Sequence, residues 1–177
     1  YGIEHARAAG YQQVLWLDRL EAEQDNLRQA LAWFAAAGDA QSLNQLSAAL
    51  AKFWFDLGQF SEARHWLQLA ITNDAGVDVL TRARAWNKAG WLAMCQGDLE
   101  RASTLRATGL ELAREAGDTY LLAESVFEAG ILAFWLGDGD GDSGERGFVD
   151  LAQESGANLV IFTLFASTTF LLVVIVA

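Results

Sequence analysis

Glycines recur along this chain at nearly constant intervals, and this spacing constrains the fold more than any other feature. Gly58, Gly97 and Gly137 are separated by 39 and 40 residues. A second set alternates with the first at intervals of 38, 41 and 39 residues: Gly38, Gly76, Gly117 and Gly156. Glycine ends helices readily because it adopts the left-handed backbone conformation at little steric cost. The spacing therefore predicts a series of helices, each about four to five turns long, alternating with short turns.

The residues around the glycines support the same interpretation. Four of the glycines are followed directly by aspartate, which can cap the next helix: Gly38, Gly97, Gly117 and Gly137. Apolar side chains recur between the turns at three- and four-residue spacing, and no segment alternates with period two. Helices are predicted near 11–23, 25–37, 40–57, 60–73, 79–96, 99–116 and 119–136. The first two are alternatively one continuous helix, because only Asp25 and Asn26 indicate a break.

Composition argues against a nucleic-acid surface and favours a reducing compartment. The chain has 12 basic and 23 acidic side chains, a net charge of −11, whereas a phosphate-tracking surface needs clustered Lys and Arg. We therefore expect no direct contact with nucleic acid. The single cysteine, Cys95, cannot form an internal disulfide, and no signal peptide is recognised at the start. These features lead us to expect a cytoplasmic protein.

Residues with catalytic or metal-binding potential are too isolated to predict an enzyme. His5 and His65 lie 60 residues apart and have no partner at helical spacing. Cys95 has no nearby histidine and lies in an apolar segment, so a buried structural thiol is predicted. Residues 137–145, GDGDGDSGE, resemble a calcium loop only in part, because Ser143 and Val149 stand where a glycine and a bidentate Glu belong. We expect no catalytic residue, no cofactor and no metal site.

The C-terminal segment 159–177 contains no charged residue. As a helix it would span about 28 Å, close to the hydrocarbon thickness of a bilayer. Its flanks lack a basic cluster and an aromatic belt, and it begins where another helix of the series is due. A membrane segment, a buried closing helix and a segment foreign to the repeat therefore all remain open.

The segment WNKAGWLAMCQGDLERA carries a specific motif. Its residues at the characteristic positions resemble the tetratricopeptide repeat: Trp86, Gly90, Gly97, Asp98, Leu99 and Ala102. A second copy surrounds Gly58, whereas a third fails after Asp138. The resemblance implies an all-α fold of antiparallel helix pairs that form a short right-handed solenoid. It divides the chain into a leading helical segment, three repeats and an apolar final helix: 1–38, 39–76, 77–117, 118–156 and 157–177.

A second resemblance concerns residues 16–39, which begin WLDRLEAEQDNLRQALAWF. They are similar to the segment that opens the helical-repeat region of bacterial LuxR-type transcriptional regulators, a group of multidomain signalling ATPases. Such proteins place an NB-ARC-like nucleotide-binding domain before the repeats and a DNA-binding domain at one end. This chain contains neither a P-loop nor a basic recognition helix. ATP hydrolysis and DNA binding are therefore not expected of it.

The tetratricopeptide resemblance also implies a concave groove lined by the first helix of each pair. The predicted groove residues are Gln45, Lys52, Phe55, Asp56, Arg84, Asn87, Trp91, Met94, Glu124, Phe127, Ile131 and Phe134. Aromatic and Met side chains suit an apolar peptide or helix, and Lys52 and Arg84 could hold a carboxylate. The expected function is a non-catalytic binding or scaffold module, the sensor arm of a regulator that binds a protein, a peptide or a small inducer. The alternative is an adaptor anchored in a membrane by residues 159–177.

Overall fold

The computed structural model describes the backbone of residues 16–136 and the side chains of residues 16–129 and of Leu132. Within this part of the chain, every regular element is an α-helix. α1 occupies residues 16–22, and a turn at Glu23 separates it from the next helix. The further helices are α2 (Gln24–Ala37), α3 (Ala40–Asp56), α4 (Phe60–Thr72), α5 (Val79–Cys95), α6 (Leu99–Ala116) and α7 (Thr119–Leu136). The all-α fold is confirmed for these residues, and the predicted helix ends from residue 23 onwards agree within one residue.

The turns are built as the glycine spacing predicts. Five glycines between the helices have φ values from 67° to 80°, a conformation that other residues adopt only with strain: Gly38, Gly58, Gly76, Gly97 and Gly117. The carboxylates of Asp39, Asp98 and Asp118 each accept a hydrogen bond from the backbone N–H three residues later, at 3.1, 3.3 and 2.8 Å. These bonds satisfy N–H groups that a helix start leaves unpaired. Gly137, Asp138 and Gly156 lie outside the described residues.

The helices pack in a regular order of neighbours. α3 contacts α4 and α5, and α5 contacts α6 and α7, while α2 packs against α3. One apolar core runs through α2 to α6 and includes Leu132 of α7. Small residues permit close packing, since Ala51, Ala63 and Ala102 are completely buried. The description of this arrangement as a right-handed tetratricopeptide-like solenoid, and the domain boundaries drawn from it, stay predictions.

The membrane alternative concerns a part of the chain that the structure does not describe. From residue 16 to residue 136, no helix combines the length and the hydrophobicity needed to cross a bilayer. The uncharged segment 159–177 and the calcium-like segment 137–145 both lie outside the described residues, as do residues 1–15.

Candidate functional site

The predicted groove residues of α3 lie along one side of that helix. Gln45, Lys52 and Asp56 are exposed, and Phe55 beside them is half-buried. The spacing of seven and four residues places the three polar side chains on one face. Lys52 Nζ lies 2.8 Å from each carboxylate oxygen of Asp56. The lysine side of the pair is 65% exposed, and Asp56 offsets the positive charge that a bound carboxylate would meet at Lys52.

Aromatic side chains join α3 to α5. The ring of Phe55 lies 4.7 Å from that of Trp91, centroid to centroid, at an interplanar angle of 53°. Phe55 also contacts Phe60 at the start of α4 in an edge-to-face arrangement, with the centroids 5.6 Å apart. Trp91 and Met94 are half-buried against the apolar core. The structure therefore brings together Phe55 and Trp91, two groove residues predicted from different repeats.

A salt bridge joins α5 to α7 on the same side of the molecule. Lys88 Nζ lies 2.8 Å from Glu124 Oε1, and both side chains are about one-third exposed. Glu124 is a predicted groove residue, whereas Lys88 was not predicted. Helical spacing places Lys88 on the same stripe of α5 as Arg84 and Trp91, so the periodicity contained a signal for it. Arg84 is exposed, and within the described residues it has no ion-pair partner. These contacts define a surface formed by α3, α5 and α7, which we call the inner surface.

One predicted groove residue does not line the inner surface. Asn87 is only 2% exposed, and its amide Nδ2 donates a hydrogen bond to Ser125 Oγ on α7. A Cβ atom on Gly109 of α6 would collide with Asn87 Oδ1 and lie 3.2 Å from the Asn87 backbone N. The prediction for Asn87 is wrong because α6 approaches so closely that the amide becomes part of the interior, where it requires a polar partner.

The remaining predicted groove residues belong to α7. Phe127 is half-buried and packs against a small apolar cluster of α6 and α7 that contains Leu110 and Val126. Ile131 and Phe134 lie within α7, but their side chains are outside the described residues. Their role in the inner surface stays a prediction.

Cys95 differs from its predicted environment. The prediction was a buried structural thiol, but the residue is exposed. Cys95 is the last residue of α5 and follows the half-buried Trp91 by four positions, so it lies at the edge of the core instead of within it. Partial burial still raises the pKa of the thiol, against an opposing effect of the positive charge of Arg106. The thiol therefore stays protonated at neutral pH and has little nucleophilic character.

A buried ion pair lies where α5, α6 and α7 meet, and sequence reasoning missed it. Arg106 Nη1 lies 2.8 Å from Glu128 Oε2, with the two side chains 3% and 12% exposed. Burial raises the pKa of Glu128, and this effect exceeds the opposing effects of the nearby cations Arg106 and Lys88. The two residues are 22 positions apart on different helices, so no helical spacing indicated the pair.

The described residues provide few groups for other chemistry. Among residues 16–136, no group of three or more His, Cys, Asp or Glu side chains is placed to hold a metal ion. His65 is exposed, and its ring contacts Trp66 with the centroids 4.8 Å apart. His5 lies outside the described residues. The predictions of no catalytic residue and no cofactor are not tested by these observations.

Comparison with known proteins gives a distant relation to bacterial regulators. No family model matches the chain. It is 30% identical over 120 residues to proteins named "Putative HTH-type transcriptional regulator" from two strains of Mycobacterium tuberculosis and from Mycobacterium bovis. The match covers 63% of this chain and 14% of each relative. The chain is thus similar to one small part of these much longer transcriptional regulators.

Proposed function

We propose that this chain is a non-catalytic helical-repeat module, the sensor arm of a multidomain transcriptional regulator of the signalling ATPase type. Its inner surface binds a protein or a peptide, and the module passes that event to other domains. The tetratricopeptide-like solenoid is part of this proposal. The observation that carries it is the continuity of the inner surface, because contacts between Phe55 and Trp91 and between Lys88 and Glu124 join residues of three helices.

The chemistry of the inner surface favours a particular kind of partner. Phe55, Trp91 and Met94 are half-buried, so they still present apolar area that a partner could cover. Most neighbouring charges are already paired: Lys52 with Asp56, and Lys88 with Glu124. Arg84 is exposed and without an ion-pair partner in the described part of the chain. A short peptide or helix with apolar anchors and one carboxylate for Arg84 fits this arrangement best.

The proposal for the parent protein is supported by the relatives. Their printed names describe transcriptional regulators of the HTH type, and this chain matches one part of them. The resemblance of residues 16–39 to the start of the repeat region in LuxR-type regulators points the same way. Nucleotide hydrolysis and DNA binding would then belong to other domains of the parent, and this chain would contribute recognition.

Peptide display on the immobilised 177-residue chain would test the inner surface. Selected peptides should share an apolar anchor and an acidic residue, and should bind the double variant Phe55→Ala/Trp91→Ala at least about tenfold more weakly. Trp33→Ala is the matched control, because Trp33 is 63% exposed and belongs to α2, which is not one of the helices that form this surface. Peptides that bind the double variant as tightly as the native chain would remove the inner surface from the proposal.

Two activity assays would test the non-catalytic assignment. The purified chain should neither hydrolyse ATP nor retard duplex DNA at physiological salt. Either activity, retained after a second purification step and proportional to protein concentration, would contradict the sensor-arm proposal. The membrane-anchored adaptor keeps its basis in the sequence of residues 159–177, and no observation on the described residues favours it.

A further inference from the structure

Two arginines of this protein present the same pair of donors in different surroundings. The Nε and Nη2 edge of arginine carries two parallel N–H groups that match the two oxygens of a carboxylate. In Arg28 of α2, Nε donates to Glu62 Oε1 and Nη2 to Glu62 Oε2, each at 2.7 Å. In Arg106 of α6, the same two nitrogens are buried and have no hydrogen-bond partner within the described residues.

The unpaired edge of Arg106 requires a physical explanation. A buried donor that has lost its water and gained no partner is destabilising, and the effect is larger for a charged group. Buried polar groups in proteins are consequently almost always satisfied by protein, by water or by a bound ion or ligand. Glu128 satisfies only Nη1. Within residues 16–129 and Leu132, whose side chains the structure describes, no second acceptor faces this guanidinium.

Neighbouring residues hold the guanidinium in position. A Cβ atom on Gly90 would lie 2.7 Å from Arg106 Cγ and 3.3 Å from its backbone N, so the arginine stem runs directly against the backbone of α5. Glu128 on α7 fixes the far end through Nη1 at 2.8 Å. Because both ends are held, the free edge is preorganised, and little conformational entropy would be lost on binding.

We propose that the Nε and Nη2 edge of Arg106 binds the carboxylate of a small organic acid where α5, α6 and α7 meet. The side chain is 3% exposed, so a compact ligand that enters by a local opening fits better than a peptide chain. The site lies beside the inner surface and does not depend on peptide binding there. It would let the module respond to a small molecule.

The local charges are compatible with an added anion. Lys88, Arg106, Glu124 and Glu128 together carry no net charge when all are ionised. Burial raises the pKa of Glu128, which favours its neutral form and leaves more of the positive charge of Arg106 for the ligand. Arg28 lacks this capacity, because the ionised carboxylate of Glu62 already occupies its edge.

Nuclear magnetic resonance of the arginine side chains in the full 177-residue chain would test the proposal. We would titrate formate, acetate, propionate and benzoate at constant ionic strength, with chloride as the reference anion. At least one acid should shift a single arginine Nε–H resonance saturably, and that resonance should be absent from Arg106→Lys. Arg106→Lys keeps the positive charge but loses the two parallel N–H donors, so its affinity for the acid should fall at least about tenfold.

Arg28→Lys is the matched control, because it removes an edge that is already occupied and should leave the acid affinity unchanged. Should Arg106→Lys fail to fold, Glu128→Gln would identify the Arg106 Nε–H resonance, because the loss of the neighbouring carboxylate should shift it. This variant should still bind the acid saturably. The proposal is overturned if no acid gives a saturable shift, or if chloride or Arg106→Lys gives the same shift. A response to phosphate or to an acidic peptide, but to no small acid, would also overturn it.

Discussion

The two helix pairs α3/α4 and α5/α6 each begin at a capping aspartate and turn between their helices at a left-handed glycine, yet their interiors differ. The first pair buries Trp54, which is 1% exposed, and the only side chain hydrogen-bonded between its two helices among the described residues is the neutral Asn44, whose Nδ2 donates to Ala70 O. In the second pair, Gly90 and Gly109 let the helix backbones approach, and the interface buries a charged side chain, Arg106, as well as the neutral Asn87. Turn spacing sets the order of the helices, but the small residues where α5 and α6 cross decide which side chains are buried between them.

The largest effect that would test this contrast is expected in the first pair. Trp54→Ala removes a fully buried aromatic side chain and leaves a cavity, so unfolding in urea should show a loss of about 3–5 kcal/mol. Trp33→Ala, at an exposed position, should change stability by less than about 0.5 kcal/mol. Equal effects of the two substitutions would contradict the assignment of Trp54 to the core.

A smaller loss of stability is expected from a substitution at the point where α5 and α6 approach most closely. In Gly109→Ala the added methyl group collides with Asn87, although alanine favours the helix, and the net loss of stability should be about 1–2 kcal/mol. The double variant Asn87→Ala/Gly109→Ala removes the collision, so a double-mutant cycle should show a favourable coupling between the two changes. Additive losses would mean that α5 and α6 are not in direct contact at this point.

The pH dependence of stability should have opposite signs for the carboxylates of Glu128 and Glu62. Glu128 pairs with Arg106 of α6, so it reports on the second helix pair. Burial raises the pKa of Glu128, so the folded protein binds its proton more tightly than the unfolded chain does. The resulting stability is present below the ordinary value of 4.5 and is lost as the pH rises through the higher folded value. Compared with the native chain, Glu128→Gln should therefore show a weaker decline of the unfolding free energy above about pH 4.5.

The smallest effect is expected for Glu62, which connects α2 to α4. The hydrogen bonds from Arg28 lower the pKa of this carboxylate, so its contribution is present above 4.5 and is lost as the pH falls through the lower folded value. Because the pair is partly exposed, Glu62→Gln should cost less than about 1 kcal/mol at pH 7. A larger loss for this variant in acid than at neutral pH would contradict the assignment.

Part of the inner surface coincides with residues named from the sequence, and the exceptions have one cause. The tetratricopeptide resemblance named Phe55 and Trp91 as groove residues, and in the structure both are half-buried, with their rings in contact. It also pointed to Asn87, but the burial of that residue depends on Gly109, which follows 22 residues later on another helix. The pair of Arg106 and Glu128 escaped prediction for the same reason, because nothing local to either residue identifies its partner.

The sequence by itself determined where α3, α5 and α6 begin and end, because a capping aspartate and a left-handed glycine act within a few residues of the chain. It also determined that the described part of the chain is all-α, since the apolar spacing follows the helical period. Only the tertiary structure decided that Cys95 is exposed, that Asn87 is interior and that one edge of Arg106 meets no partner among the described residues. These properties depend on how closely separate helices approach, and that distance is set by side chains that are far apart in the sequence.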